Sequence, residues 1–137
     1  MLRVLAAPAG AALAQKADRC DLLIRNGEVL DPGRRFRQRA DLAVADGRIA
    51  ALAENIPPER AAEAIDARGL LVAPGLVDLH THCYHGGTGL SIEADPIAAR
   101  SGVTTWVDAG SFGSDQVEGF RRFVVAPQQA RVFGYMH

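Results

Sequence analysis

The sequence predicts an α/β chain in which a small β-rich segment precedes the first strand-helix units of a parallel sheet wrapped by helices. Three observations carry this reading. Short apolar runs separated by Asn-Gly and Asp-Gly turn signals fill residues 20–73, Pro74-Gly75 breaks the texture, and residues 76–137 then read strand, helix, strand, helix, strand. Composition fits a globular protein, with 48% hydrophobic and 23% charged residues in a chain of 137.

Residues 1–19 stand apart from this pattern. Met1 to Arg3 is short and basic, residues 4–11 are apolar, and Ala12-Leu13-Ala14 has the small-x-small form that precedes a cleavage site. Read as an export signal, residues 1–14 place the protein in the periplasm or outside the cell. The single positive charge and the Pro8 and Gly10 interruptions favour the other reading, a disordered tail on a cytoplasmic protein.

In residues 20–73, Leu22-Leu23-Ile24-Arg25 is followed by Asn26-Gly27 and Glu28-Val29-Leu30, and Leu42-Ala43-Val44-Ala45 by Asp46-Gly47 and Arg48-Ile49-Ala50. Asn-Gly and Asp-Gly accept the positive φ angles that tight hairpins need, so each unit reads as a β-hairpin. Asp31-Pro32-Gly33 is a turn, Pro57-Pro58 interrupts the chain, and residues 64–72 join the same sheet. Together they form a small β-sandwich segment.

After Pro74-Gly75, Leu76-Val77-Asp78-Leu79-His80 is a strand. Asp95 caps a helix with Pro96 at its first position, and Gly102 suits its end. Residues 103–108 form the next strand. Ser114 or Asp115 caps a second helix carrying Val117, Phe120, Phe123 and Val124 at helical spacing, Pro127 stops it, and residues 131–137 begin a third strand. Trp106, Phe120 and Phe123 read as core or helix-packing residues. A closed eight-stranded barrel of this kind takes roughly 250 residues, so residues 74–137 are expected to be the opening of a truncated (β/α)8 TIM-like barrel.

Charge excludes some partners. Fifteen basic residues face 16 acidic ones, and the Arg34, Arg35, Arg37 and Arg39 run reads as a solvated loop or edge strand, so no nucleic-acid partner is expected. No apolar run approaches the roughly 20 residues that span a bilayer, so no membrane partner is expected either. Cys20 and Cys83 are too few for a disulfide scaffold and lack the C-x-x-C spacing of a structural zinc site.

The sharpest chemical signal is Asp78-Leu79-His80-Thr81-His82. Side chains alternate along a strand, so Asp78, His80 and His82 share one face while Cys83 points away. A bare His-x-His pair arises readily by accident. Here it ends an apolar strand directly after Pro-Gly, at the head of a β/α series, where such barrels hold their active sites. Two neutral imidazoles at alternate positions suit zinc or another borderline divalent ion, and His80 and His82 are the candidate metal ligands.

At these residues the sequence resembles the amidohydrolase superfamily: residues 72–82 are similar to its strand-one motif, P-G-[LFI]-[IV]-D-x-H-x-H. Asp21-Leu22-Leu23-Ile24-Arg25-Asn26-Gly27 and Asp46-Gly47-Arg48-Ile49 resemble the N-terminal β-sandwich segments of its dihydroorotase-, hydantoinase- and deacetylase-like members. Residues 100–111 are similar, less specifically, to the strand-two region of the amidohydrolase/deacetylase branch. The resemblance implies a β-sandwich plus a distorted (β/α)8 barrel holding one or two divalent metals, usually Zn2+, that activate water against an amide, ester or ring carbonyl. It implies that a carboxylated Lys, two further His ligands and a late Asp lie beyond His137, so the chain alone is expected to be inactive.

Around the pair, Asp78 and Asp108 are candidate carboxylates for orienting the imidazoles. An internal hydrogen bond for Asp78, and a cap on the turn after strand two for Asp108, are the alternatives. Tyr84, His85 and Gly86, in the loop after strand one, are candidate substrate contacts. The expected function is metal-dependent hydrolysis of a non-peptide C–N bond, or a related ester, in a small acylated substrate, in a protein able to form homo-oligomers. A mononuclear deaminase of the same superfamily and a non-catalytic scaffold are the rival readings.

Overall fold

A computed structural model describes residues 19–137, so the export-signal reading of residues 1–14 lies outside the described residues. The chain divides after Pro74 into two compact units, each considered by itself.

The spine of the N-terminal unit is β1 (Cys20–Asp31), twelve residues that run straight through Asn26-Gly27. The expected first hairpin is therefore corrected to a bulge. Only Asn26 adopts positive φ there, 62°, whereas a two-residue hairpin turn of this kind needs both central residues in that region. Pairing shifts register between Ile24 and Gly27, and the extra residue is held by Asn26 N donating to Asp41 Oδ1 at 2.8 Å and Asn26 Nδ2 to Asp66 Oδ1 at 3.0 Å. Gly27 serves space instead of φ: a Cβ would lie 2.5 Å from Val72 Cγ2.

The chain reverses later, at Pro32–Arg34, where Asp31 Oδ1 accepts from Arg34 N at 3.2 Å and Arg35 takes φ 53°. β2 (Phe36–Ala45) returns antiparallel to β1. The arginine run lies exposed on this hairpin, and Arg37 pairs with Glu28 at 2.7 Å, holding that carboxylate below its usual range. Asp46-Gly47 does turn the chain, with φ of 51° and 67°, into β3 (Arg48–Ala53). Residues 64–72 supply strand structure in two pieces. β4 (Ala61–Asp66) and β5 (Leu71–Val72) both run parallel to β1, giving one sheet of order β3-β2-β1-β4 with β5 also on β1. Leu23, Ala43, Cys20 and Ile56 form its core.

The C-terminal unit has three parallel strands in the order β6 (Leu76–Thr81), β7 (Val103–Phe112) and β8 (Arg131–Met136). Parallel neighbours need crossovers. α1 (Ala94–Ser101) joins β6 to β7. The second crossover is α2 (Val117–Phe120), which widens into a π-type turn at Arg121–Val125. α1 ends as expected, with Gly102 at φ 72° and its N–H on Ala98 O. Its start differs: Glu93 is the cap residue, and the Asp95 carboxylate instead takes the Gln129 and Ala130 amides before β8 at 2.8 Å each.

Trp106, Phe112, Phe120, Val124 and Val132 form the core with Cys83 and Ala94, and the Phe112 and Phe120 rings stack at 4.0 Å. Phe123 is the exception among the expected packing residues, being 70% exposed. The wide turn beginning at Arg121 brings Val124 inward, and Phe123 lies outside with the Arg122 guanidinium 5.5 Å from its ring.

Candidate metal centre

β6 begins where Gly75 presses against the Thr104 side chain, a contact that leaves no room for a Cβ and accounts for glycine in Pro74-Gly75. Parallel strands deliver the ends of β6, β7 and β8 to one end of the sheet, where His80, His82, Ser111 and His137 lie.

His80 and His82 lie at the end of β6 with ring centroids 6.0 Å apart and ring planes at 81°. Two rings sharing a tetrahedral ion through metal–nitrogen bonds of about 2.1 Å, with a ring radius of about 1.2 Å, have centroids about 5.4 Å apart. The observed spacing is about 0.6 Å wider than that, and the ring donors suit a borderline divalent ion. His82 Nδ1 is 2.8 Å from Ser111 Oγ at the end of β7, which leaves Nε2 as its other nitrogen. Among the described residues no cluster of three or more His, Cys, Asp or Glu forms a complete ligand set.

Asp108 is wholly buried, yet its partners are all backbone amides. Oδ1 accepts from Ser111 N at 2.6 Å and Gly110 N at 3.0 Å, and Oδ2 from Cys83 N at 2.6 Å. It therefore braces the irregular stretch of β7 between Asp108 and Phe112 and ties it to the residue following His82. Asp78 Oδ1 accepts from His80 N at 3.0 Å, an interaction within its own strand. Neither carboxylate hydrogen-bonds an imidazole in this arrangement.

Cys83 faces the core and is 1% exposed. Burial, and then the Asp108 charge, push its thiol up to about 11, so it remains neutral. Tyr84 turns inward, its ring 5.6 Å from Phe120 and so close to Gly87 that a Cβ there would lie 2.6 Å from Tyr84 Cδ2. His85 stays at the surface, 3.6 Å from Glu93, and Gly86 occupies an exposed turn at φ 78°.

An open cleft of about 330 Å³ lies at this end of the sheet, lined by His82, Thr88, Gly89, Leu90, Gly110, Ser111 and His137. None of Tyr84, His85 and Gly86 lines it; the later part of the same loop does. Ser111 and His137 were not singled out from sequence as site residues. Ser111 follows a Gly in an ordinary turn, and His137 has no motif around it. Only strand pairing brings both beside His82.

The sequence model described as the amidohydrolase family matches residues 63–117, which include the Asp-x-His-x-His strand and β7. The chain is 41% identical over 92 residues to Deacetylase Atu3266 of Agrobacterium fabrum, covering 67% of this chain and 23% of that protein. It thus spans under a quarter of that relative's length. A dihydroorotase crystal structure superposes with TM-score 0.70 at 34% identity, covering 84% of this chain and 30% of that one. An N-acyl-D-glutamate deacylase from Bordetella bronchiseptica, solved with zinc and a phosphonate inhibitor, gives TM-score 0.53 at 35% identity over 67% of this chain and 19% of that one. By sequence motif, strand order and relatives alike, this chain belongs to the amidohydrolase superfamily.

Proposed function

We propose that the whole protein is a metal-dependent hydrolase that cleaves a non-peptide C–N bond, or a related ester, in a small acylated substrate. In this reading β1–β5 contribute to a β-sandwich, β6–β8 are the first three strands of a (β/α)8 barrel, and His80 and His82 hold a divalent ion, zinc by analogy with the deacylase. The observation that carries the reading is the His80/His82 pair, two imidazoles 6.0 Å apart at the end of a parallel strand. Bound there, the ion supplies polarisation of a carbonyl and a lowered pKa for water.

The chain's own residues supply placement. His80 and His82 offer ring nitrogens, and Asp108 fixes the backbone on which His82 and Ser111 stand. The open cleft beside His82, lined also by Ser111 and His137, gives a substrate access to that side of the pair.

Metal analysis and assay of the whole protein test this. One or two equivalents of zinc per protein are expected, with release of carboxylate from N-acyl amino acids or cyclic amides. His80→Ala and His82→Ala are each expected to lower activity at least 100-fold and to lose metal while the fold persists by circular dichroism. A protein that takes up no zinc would support the scaffold reading, and ammonia release from an aminated ring would support the deaminase.

A further inference from the structure

We propose that Ser111 is a positioning residue for His82, holding its imidazole in the tautomer and orientation that leave Nε2 free for a metal ion. The proposal rests on the metal reading above for its purpose, but the Ser111–His82 interaction can be tested without it.

The contact joins two strands. Ser111 lies 29 residues from His82, is 9% exposed, and places Oγ 2.8 Å from His82 Nδ1. Its position is fixed from behind: Asp108 Oδ1 takes Ser111 N at 2.6 Å, and Oδ2 takes Cys83 N, next to His82, also at 2.6 Å. One buried carboxylate thus pins the backbone on both sides of the serine–histidine contact, so the hydroxyl has little freedom to drift.

The chemistry gives that contact a consequence. A neutral imidazole carries its proton on one nitrogen and its lone pair on the other, and the partner of the protonated nitrogen selects the tautomer. A serine hydroxyl can accept from Nδ1–H or donate to Nδ1; with Ser111 Oγ as the acceptor, as proposed, the lone pair sits on Nε2, the nitrogen left for an ion. Among the described residues the His80 ring has no corresponding anchor: the hydrogen bond at that residue is the local one from its backbone N–H to Asp78. Outer partners of metal-binding histidines typically change metal affinity by about 10–100-fold when removed.

The test uses the whole protein labelled with 15N in the histidine rings, with tautomers read by long-range 1H–15N correlation in the metal-free state above the histidine titration range. His82 is expected as the Nδ1–H tautomer in the wild type and as a mixture in Ser111→Ala. Zinc affinity by chelator competition should fall about 10-fold or more in Ser111→Ala and recover in Ser111→Thr, which keeps the hydroxyl. An unchanged tautomer in Ser111→Ala, or zinc affinity within twofold of wild type, would overturn the proposal. If Ser111→Ala does not fold, the wild-type spectrum decides, because an Nε2–H tautomer there would mean that Ser111 donates to Nδ1 and does not leave Nε2 free, which overturns the proposal. If the wild type binds no zinc, the metal reading fails, while the tautomer comparison still decides the role of Ser111.

Discussion

Two buried aspartates show how this chain keeps carboxylates away from water. Asp108 is satisfied by three amides, and Asp41, 2% exposed, by Asn26 N at 2.8 Å and Ile56 N at 2.9 Å, with the Arg25 guanidinium 3.8 Å away. Each is costly to remove because the donors it serves would be left buried and unpaired. Asp41→Ala is therefore expected to destabilise the protein by about 2–4 kcal/mol, and Asp41→Asn, which keeps one carbonyl acceptor, by less. Urea denaturation of the whole protein measures both, and a loss below about 0.5 kcal/mol for the alanine variant would show that the amides find other partners. The same scale marks where sequence reading stopped. His80 and His82 were legible because strand periodicity alone puts them on one face. Ser111 and His137 were not, since Ser111 reaches the cleft only through the pairing of β6 with β7 and His137 only through that of β7 with β8, which no local pattern records. Asp108 stood between two readings because a carboxylate that caps a turn and one that orients a histidine have the same sequence; the strand runs on to Phe112, and the three amides that Asp108 takes brace an irregularity within β7 and the backbone at Cys83.

Among the elements, Asn26-Gly27 and Asp46-Gly47 carry the same turn signal and do different things. The second turns because both residues adopt positive φ and β3 pairs back on β2; the first bulges because β1 is held straight by three partners, β2, β4 and β5. Tertiary pairing thus overrides a local preference, and a single sequence shows the preference only. The bulge makes a specific demand on its residue. Asn26→Val is expected to cost about 1–2 kcal/mol, as a branched side chain is forced to φ 62° and the Asp66 contact is lost, whereas Asn26→Gly should cost less. Thermal melts of the two variants check the order, and equal melting temperatures would mean that the backbone leaves this conformation when the asparagine is replaced. The ends of α1 teach a similar lesson. Gly102 was legible because the left-handed terminus is a local requirement, but Asp95 was recruited by amides more than 30 residues away, leaving the helix to start without a side-chain cap.

At the scale of the molecule, the parallel sheet is covered at its centre and bare at its sides. Trp106 and Asp108 on β7 are buried, while Leu79 on β6 and Tyr135 on β8 remain 69% and 65% exposed, accompanied by Leu76, Val77, Phe133 and Met136. Among the described residues both outer strands also lack a second neighbour in this sheet, and edges of this kind pair with other chains. The 137-residue chain by itself is therefore expected to show no cooperative thermal transition, to bind a hydrophobic dye, to associate as its concentration rises, and to hydrolyse nothing. Sedimentation and calorimetry separate the ways in which these edges can be covered. Continuous growth in mass without a sharp transition means that they are open. A single defined oligomer with a sharp transition would mean that copies of the chain close the sheet for one another, and a monomer with a sharp transition would mean that the exposed side chains repack within one chain. Either of the last two results would remove the need for further strands, and with it the physical argument that β6–β8 open a larger barrel.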